Sequence, residues 1–106
     1  MKYNEDVVRQ YYVSQGLPEP VFEYRHIPDR KFRLDVAFIA HKVGVEIQGG
    51  LWLPISGHKS GVHIKRDYEK MNLSILNGWL VLQIEPKEVC LLETIDKIKR
   101  LIASRK

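Results

Sequence analysis

Asp35 lies in the run Arg33-Leu34-Asp35-Val36-Ala37-Phe38, and Glu46 and Gln48 lie in Val43-Gly44-Val45-Glu46-Ile47-Gln48, just before Gly49-Gly50. A carboxylate set among β-forming residues is costly to bury without a partner. Strand side chains alternate between faces. Leu34, Val36 and Phe38 are therefore expected on one face, with Arg33, Asp35 and Ala37 on the other. In the second run Val43, Val45 and Ile47 share a face, and Gly44, Glu46 and Gln48 share the opposite one. A hairpin with an even loop sets Asp35 opposite Glu46 with a turn at Ala40-His41, or opposite Gln48 with a turn around His41-Lys42. Either register gathers Asp35, Glu46 and Gln48 on one side, and a one-residue slip would scramble both faces. Facing carboxylates repel, and each prefers its proton unless a cation lies between them. Carboxylate and carbonyl oxygens are what a hard divalent ion such as Mg²⁺ takes as ligands. The same pattern also describes a solvated sheet face balanced by Arg33 and Lys42.

The elements that must position these residues follow from local signals. Asn4 is a helix N-cap with Glu5 and Asp6 in the first turn, and Gly16 with Leu17-Pro18 stops that helix near Gln15. Val21-Phe22-Glu23-Tyr24-Arg25 reads as a first strand and Ile27 to Lys31 as the turn out of it. The stretch from Gly49 to Gly61 is irregular, broken by glycines and Pro54. A helix is predicted over 62–77, with Ile64, Tyr68, Met71 and Ile75 at the spacing of one apolar face, and Asn77-Gly78 ends it. Trp79 to Ile84 is an almost wholly apolar strand, as a buried one should be. Beyond Pro86, Leu91, Ile95, Ile98 and Ile102 mark a last helical stripe. The order is αβββαβα: an antiparallel meander, then a helical crossover to a parallel strand. The expected class is α/β, with a mixed sheet carrying helices.

The chain has 106 residues, which fits one domain over 1–106 with a modest core. No apolar run is long enough to span a membrane, and the N-terminus does not read as a signal peptide. The single Cys90 excludes an internal disulfide and a cysteine-built zinc site, and its apolar neighbours suggest a buried structural thiol. These points favour the cytoplasm. The formal net charge of +4 is compatible with a polyanionic partner. Arg25, His26, Arg30, Lys31 and Arg33 cluster before Asp35, and His58, Lys59, His63, Lys65 and Arg66 follow the double glycine. Lys97, Lys99, Arg100, Arg105 and Lys106 read instead as the solvated face of the last helix.

An αβββαβ core with an acid on the second strand and an acid-x-polar pair on the third resembles the PD-(D/E)xK nuclease superfamily, whose restriction-endonuclease-like fold is shared by Holliday-junction resolvases and very-short-patch repair endonucleases. Within it the chain is most similar to small phage- and prophage-type endonucleases. The resemblance rests on Glu23-Tyr24-Arg25 with Arg33-Leu34-Asp35, on Val45 to Gly50, and on Gly57-His58 through Asp67, Lys70, Asn72 and Gly78-Trp79, covering roughly residues 22–84. It implies a DNA endonuclease dependent on Mg²⁺, with Mn²⁺ as a substitute, working in the cytoplasm of a bacterium or a phage-infected host. Asp35 and Glu46 would hold the metal, with the Ile47 carbonyl and Glu23 as further ligands; the other reading of Glu23 is a salt bridge to Arg25 or Arg33. Water activated at the metal would attack the phosphodiester in line.

One position departs from the motif. Where the pattern has lysine, two residues after Glu46, this chain has Gln48, which can orient water but supplies no full charge. Lys70 is the first candidate to replace that lysine; its alternative is an exposed helix residue paired with Asp67 or Glu69. Arg25, Arg33, His58, Lys59, Lys65 and Arg66 are candidate phosphate contacts, and Trp52 could stack on a base or pack beneath its loop. Pro28-Asp29 is a literal "PD" but reads as a turn. Gln48 also keeps open a catalytically weak nucleic-acid-binding module on the same fold, and a third reading is a structural protein with incidental carboxylates. Two symmetric cuts would need a homodimer, for which no surface is legible in the sequence.

Overall fold

Asn4 caps the first helix by accepting the Val7 N–H on its side-chain oxygen at 3.1 Å. Glu5 and Asp6 occupy the first turn, where the helix dipole favours negative charge. This helix, α1 (Glu5–Ser14), ends ahead of Gly16, whose φ of 90° only glycine adopts without strain. The structure is a computed structural model that describes residues 3–48 and 61–105, leaving out the side chains of 61–64. After α1 come β1 (Val21–Tyr24), β2 (Leu34–Phe38), β3 (Val43–Ile47), α2 (Gly61–Leu76), β4 (Leu80–Ile84) and α3 (Leu92–Ala103). The four strands lie in one sheet in the order β1-β2-β3-β4. The first two pairings are antiparallel, and β3 runs parallel to β4 with α2 lying between them in the chain. The result is an α+β architecture with a four-stranded mixed sheet and three helices, in the expected order of elements.

A short 3-10 turn at Ile39–His41, closed by Lys42 in the left-handed region at φ 53°, joins β2 to β3. It sets Val36 opposite Val45 and Phe38 opposite Val43. This is the register centred on Ala40-His41, and its ladder ends at Val36 and Val45, one residue short of Asp35 and Glu46.

The main core lies on the sheet face covered by α1 and α3. Val8 and Tyr12 of α1 and Ile95, Ile98 and Ile102 of α3 pack there against Val36, Phe38, Val43, Val45 and Ile84. Each fully buried aliphatic side chain contributes roughly 1.5–3 kcal/mol. The Tyr12 hydroxyl, otherwise stranded in this core, donates to the Val89 carbonyl at 2.8 Å. On the opposite face, toward α2, a smaller cluster joins Leu34, Ala37 and Trp79, with Tyr24 and Val81 against it.

Three expectations are corrected. Leu34 does not share a face with Val36 and Phe38: it packs with Ala37 and Trp79, directly over Gly44. The alternation breaks at Asp35, and it breaks in step on β1, where Phe22 joins the main core and Tyr24 the smaller cluster. Between those two sits Glu23 at φ 53°, a backbone turn that lets one strand change faces. Second, the apolar stripe of α2 is not buried along its length. Tyr68 and Ile75 are 66% and 62% exposed, while Ser74 is buried and Lys70 half-buried on the inward side. The sheet surface there presents Glu46 as well as apolar groups, so the polar side of α2 is the one with partners. Third, Cys90 is exposed, because Val89 takes the core position at the entry to α3; what burial the thiol has pushes its pKa up.

Candidate functional site

The break in β1 and β2 falls on two carboxylates, and it determines what they touch. Even-numbered N–H groups at this end of β3 point to β4, as Gln48 does in donating to Ile84 O at 2.7 Å. Ile47 therefore points its N–H toward β2, where the backbone ladder has ended at Val36–Val45. Asp35 supplies the missing acceptor: its Oδ2 takes the Ile47 N–H at 2.7 Å. The N–H and C=O of a strand residue point the same way, so the Ile47 carbonyl faces Asp35 as well. Glu23 comes close enough to hydrogen-bond the Asp35 carboxylate; burial first, then the charge of Asp35, raises its pKa, opposed by Arg33. Tyr3 adds a hydroxyl, 3.4 Å from the Asp35 carbonyl, and its pKa is raised by burial and then by Asp35 and Glu23.

Glu46 points the other way from the main core, into a cavity of about 390 Å³ between the sheet and α2. Gln48, Lys70 and Gln83 line it with Glu46, and Tyr68 and Met71 form part of its apolar wall. Lys70 Nζ donates to Glu46 Oε1 at 2.5 Å. Burial raises the Glu46 pKa, Lys70 pulls it back, and Asp35 and Glu23 raise it again. Gln48 donates through Nε2 to Gln83 Oε1 at 3.1 Å, which leaves its own carbonyl oxygen as a further acceptor.

Glu23, Asp35 and Glu46 thus act on one another electrostatically, but among the described residues no group of three or more His, Cys, Asp or Glu is gathered as a metal site. The chain matches no protein-family model, no curated protein and no solved structure.

Of the candidate residues, the structure brings together Asp35, Ile47 and Glu23 on one side and Glu46, Gln48 and Lys70 on the other. The partner of Lys70 is Glu46; Glu69 instead pairs with Arg30 at 2.7 Å. Arg25 and Arg33 are exposed, Arg25 donating to the Arg30 carbonyl at 3.1 Å, and Lys65 and Arg66 are exposed on α2. Trp52, His58, Lys59 and the Gly49-Gly50 pair lie outside the described residues. Pro28-Asp29 is a turn, with Asp29 at φ 62° and Arg30 N–H bonded to Ile27 O at 3.3 Å. His26 does not belong with the basic cluster: it is buried, and burial followed by the nearby charge of Lys70 pushes its pKa down to about 4. Sequence reasoning missed Tyr3, Ser74 and Gln83. None carries a periodic or motif signal, and Gln83, the one polar residue in an apolar strand, was the nearest to a clue. No described helix is long and apolar enough to cross a membrane.

Proposed function

We propose that the chain is a divalent-metal-dependent DNA endonuclease of the PD-(D/E)xK kind, with a restriction-endonuclease-like core. The observation that supports the reading is the contact of Lys70 with Glu46, which sets beside that carboxylate an ammonium group of the kind Gln48 cannot supply. Asp35 and Glu46, with the Ile47 carbonyl and Glu23, would hold Mg²⁺. This donor set is of the all-oxygen kind a hard cation takes, and the charge of Asp35 raises the proton affinity of both Glu23 and Glu46. Bound there, the metal supplies Lewis-acid stabilisation and an activated water. Lys70 stabilises negative charge growing on the scissile phosphate, and the Gln48 amide, held by Gln83, orients the attacking water. Arg25, Arg33, Lys65 and Arg66 draw the DNA backbone toward the cavity mouth.

A second reading, a catalytically weak DNA-binding module, is favoured by one observation: Lys70 already neutralises Glu46 and so competes with a metal. Both are tested by incubating the protein with plasmid, single-stranded and branched DNA in Mg²⁺, Mn²⁺ or EDTA. Metal-dependent cleavage that Asp35→Ala and Glu46→Ala each abolish supports the enzyme. Tight binding without cleavage of any substrate refutes it and leaves the binding module.

A further inference from the structure

The buried pair of His26 and Ser74 lies one helical turn from Lys70 and has no part in the chemistry just described. His26 Nε2 and Ser74 Oγ are 2.7 Å apart, and Ser74 Oγ donates to the Lys70 carbonyl at 2.7 Å. The hydroxyl has a single proton, and a carbonyl oxygen can only accept. Ser74 therefore spends its proton on Lys70, and His26 must be the donor, with its proton on Nε2. Its lowered pKa fits a neutral ring. The ring meets Trp79 edge-on at 5.5 Å, so the residue just ahead of β4 helps to hold it.

The orientation of α2 needs such a device. Tyr68 and Ile75 of its apolar stripe are largely exposed, so those side chains do not fix its rotation about its axis. Polar ties do: Arg30 to Glu69 on the surface, Lys42 Nζ to the Asn77 carbonyl at 3.0 Å, and His26 to Ser74 in the interior. Residues four apart share a helix face, so the tie at Ser74 also fixes where Lys70 points.

We infer that His26 is a positioning residue: acting through Ser74, it sets the rotation of α2 that aims Lys70 at Glu46. The inference rests on the proposed role of Lys70 and adds a residue that touches neither metal nor DNA. Two measurements test it, the first needing no activity. In metal-free protein, a double-mutant cycle of Glu46→Gln and Lys70→Met in thermal unfolding gives their coupling. That coupling should vanish in His26→Leu and Ser74→Ala backgrounds and persist in His26→Gln, whose amide Nε2 can donate from the same region. Coupling that persists in His26→Leu or Ser74→Ala overturns the inference. Should His26→Leu fail to fold, Ser74→Ala removes only a hydroxyl and carries the same test. In Mg²⁺ with a cleaved DNA, His26→Leu and Ser74→Ala should lower kcat about ten- to a hundredfold at unchanged KM, the scale of a small misplacement. His26→Gln should recover it; equal losses in His26→Gln and His26→Leu overturn the inference. Coupling that behaves as expected in a protein that cuts no DNA overturns the nuclease reading and leaves the positioning of Lys70 standing.

Discussion

Replacing Lys70 by methionine separates the charge of this residue from its packing, because the unbranched stem is kept and the ammonium group is lost. The Lys70 and Glu46 side chains are 23% and 14% exposed and meet at 2.5 Å. Removing one partner of a fully buried ion pair costs roughly 3–5 kcal/mol, since the other charge is left uncompensated. Glu46 keeps some contact with water and can take up a proton, so metal-free Lys70→Met should lose about 2–3 kcal/mol at neutral pH. For a chain of this length that is a fall in Tm of roughly 8–15 °C. The dependence on pH identifies the cause. Burial already holds the Glu46 pKa above its ordinary value of 4.5 against the downward pull of Lys70. Without the ammonium group the folded-state pKa climbs further, so folding takes up a proton. The penalty is then absent below the unfolded pKa, grows as pH rises through the folded one, and is full above it. Urea unfolding in EDTA, followed by tryptophan fluorescence, should show the variant far behind wild type at neutral pH and close to it in mild acid. Glu46→Gln added to Lys70→Met should regain most of the loss. A deficit below about 0.5 kcal/mol, the size of an ordinary surface change, or one equal at both pH values, refutes the argument.

Added Mg²⁺ should raise the Tm of Lys70→Met more than that of wild type, because the cation no longer competes with an ammonium group for Glu46; an equal rise would count against Glu46 as a ligand. A methyl at Gly44 would stand 2.4 Å from Leu34 Cδ1, and Leu34 is fully buried, so Gly44→Ala should cost about 1–3 kcal/mol in urea unfolding as Leu34 is driven toward the cavity. Tyr12→Phe leaves the Val89 carbonyl without its buried donor and should cost about 1–2 kcal/mol, read from the same transition. If Arg33 and Arg66 contact phosphates, replacing each by alanine should flatten the log–log dependence of DNA affinity on salt by roughly 0.9 per contact removed, measured by fluorescence anisotropy.

Much of the fold was legible because its signals are local. The Asn4 cap, the Gly16 stop, the Asn77-Gly78 break and the runs of β-branched residues act within a few positions of themselves, and they set the order of elements correctly. The hairpin was legible up to two registers, and the 3-10 turn with Lys42 in the left-handed region chose between them. The face Leu34 takes goes with a backbone turn at Glu23 on the neighbouring strand, which alternation within its own strand does not show. Periodicity identified the apolar stripe of α2 but could not say which way it turns; that depends on Glu46 and His26 across the gap. His26 stands among cationic neighbours in the chain, and only the surrounding Trp79, Ser74 and Lys70 make it a buried neutral ring.

The sequence by itself determined which side chains could do chemistry here: two carboxylates in adjacent strands, a glutamine two residues after the second, and a lysine farther along on a helix. Those facts reside in residue types and short spacings. The tertiary structure decided their partners: Asp35 on the Ile47 N–H, Glu23 against Asp35, and Lys70 on Glu46 rather than on its helix neighbours. Pairing of this kind depends on how a helix is rotated over a sheet and where a strand changes faces. Both are set by contacts between residues far apart in the chain, which local spacing does not encode.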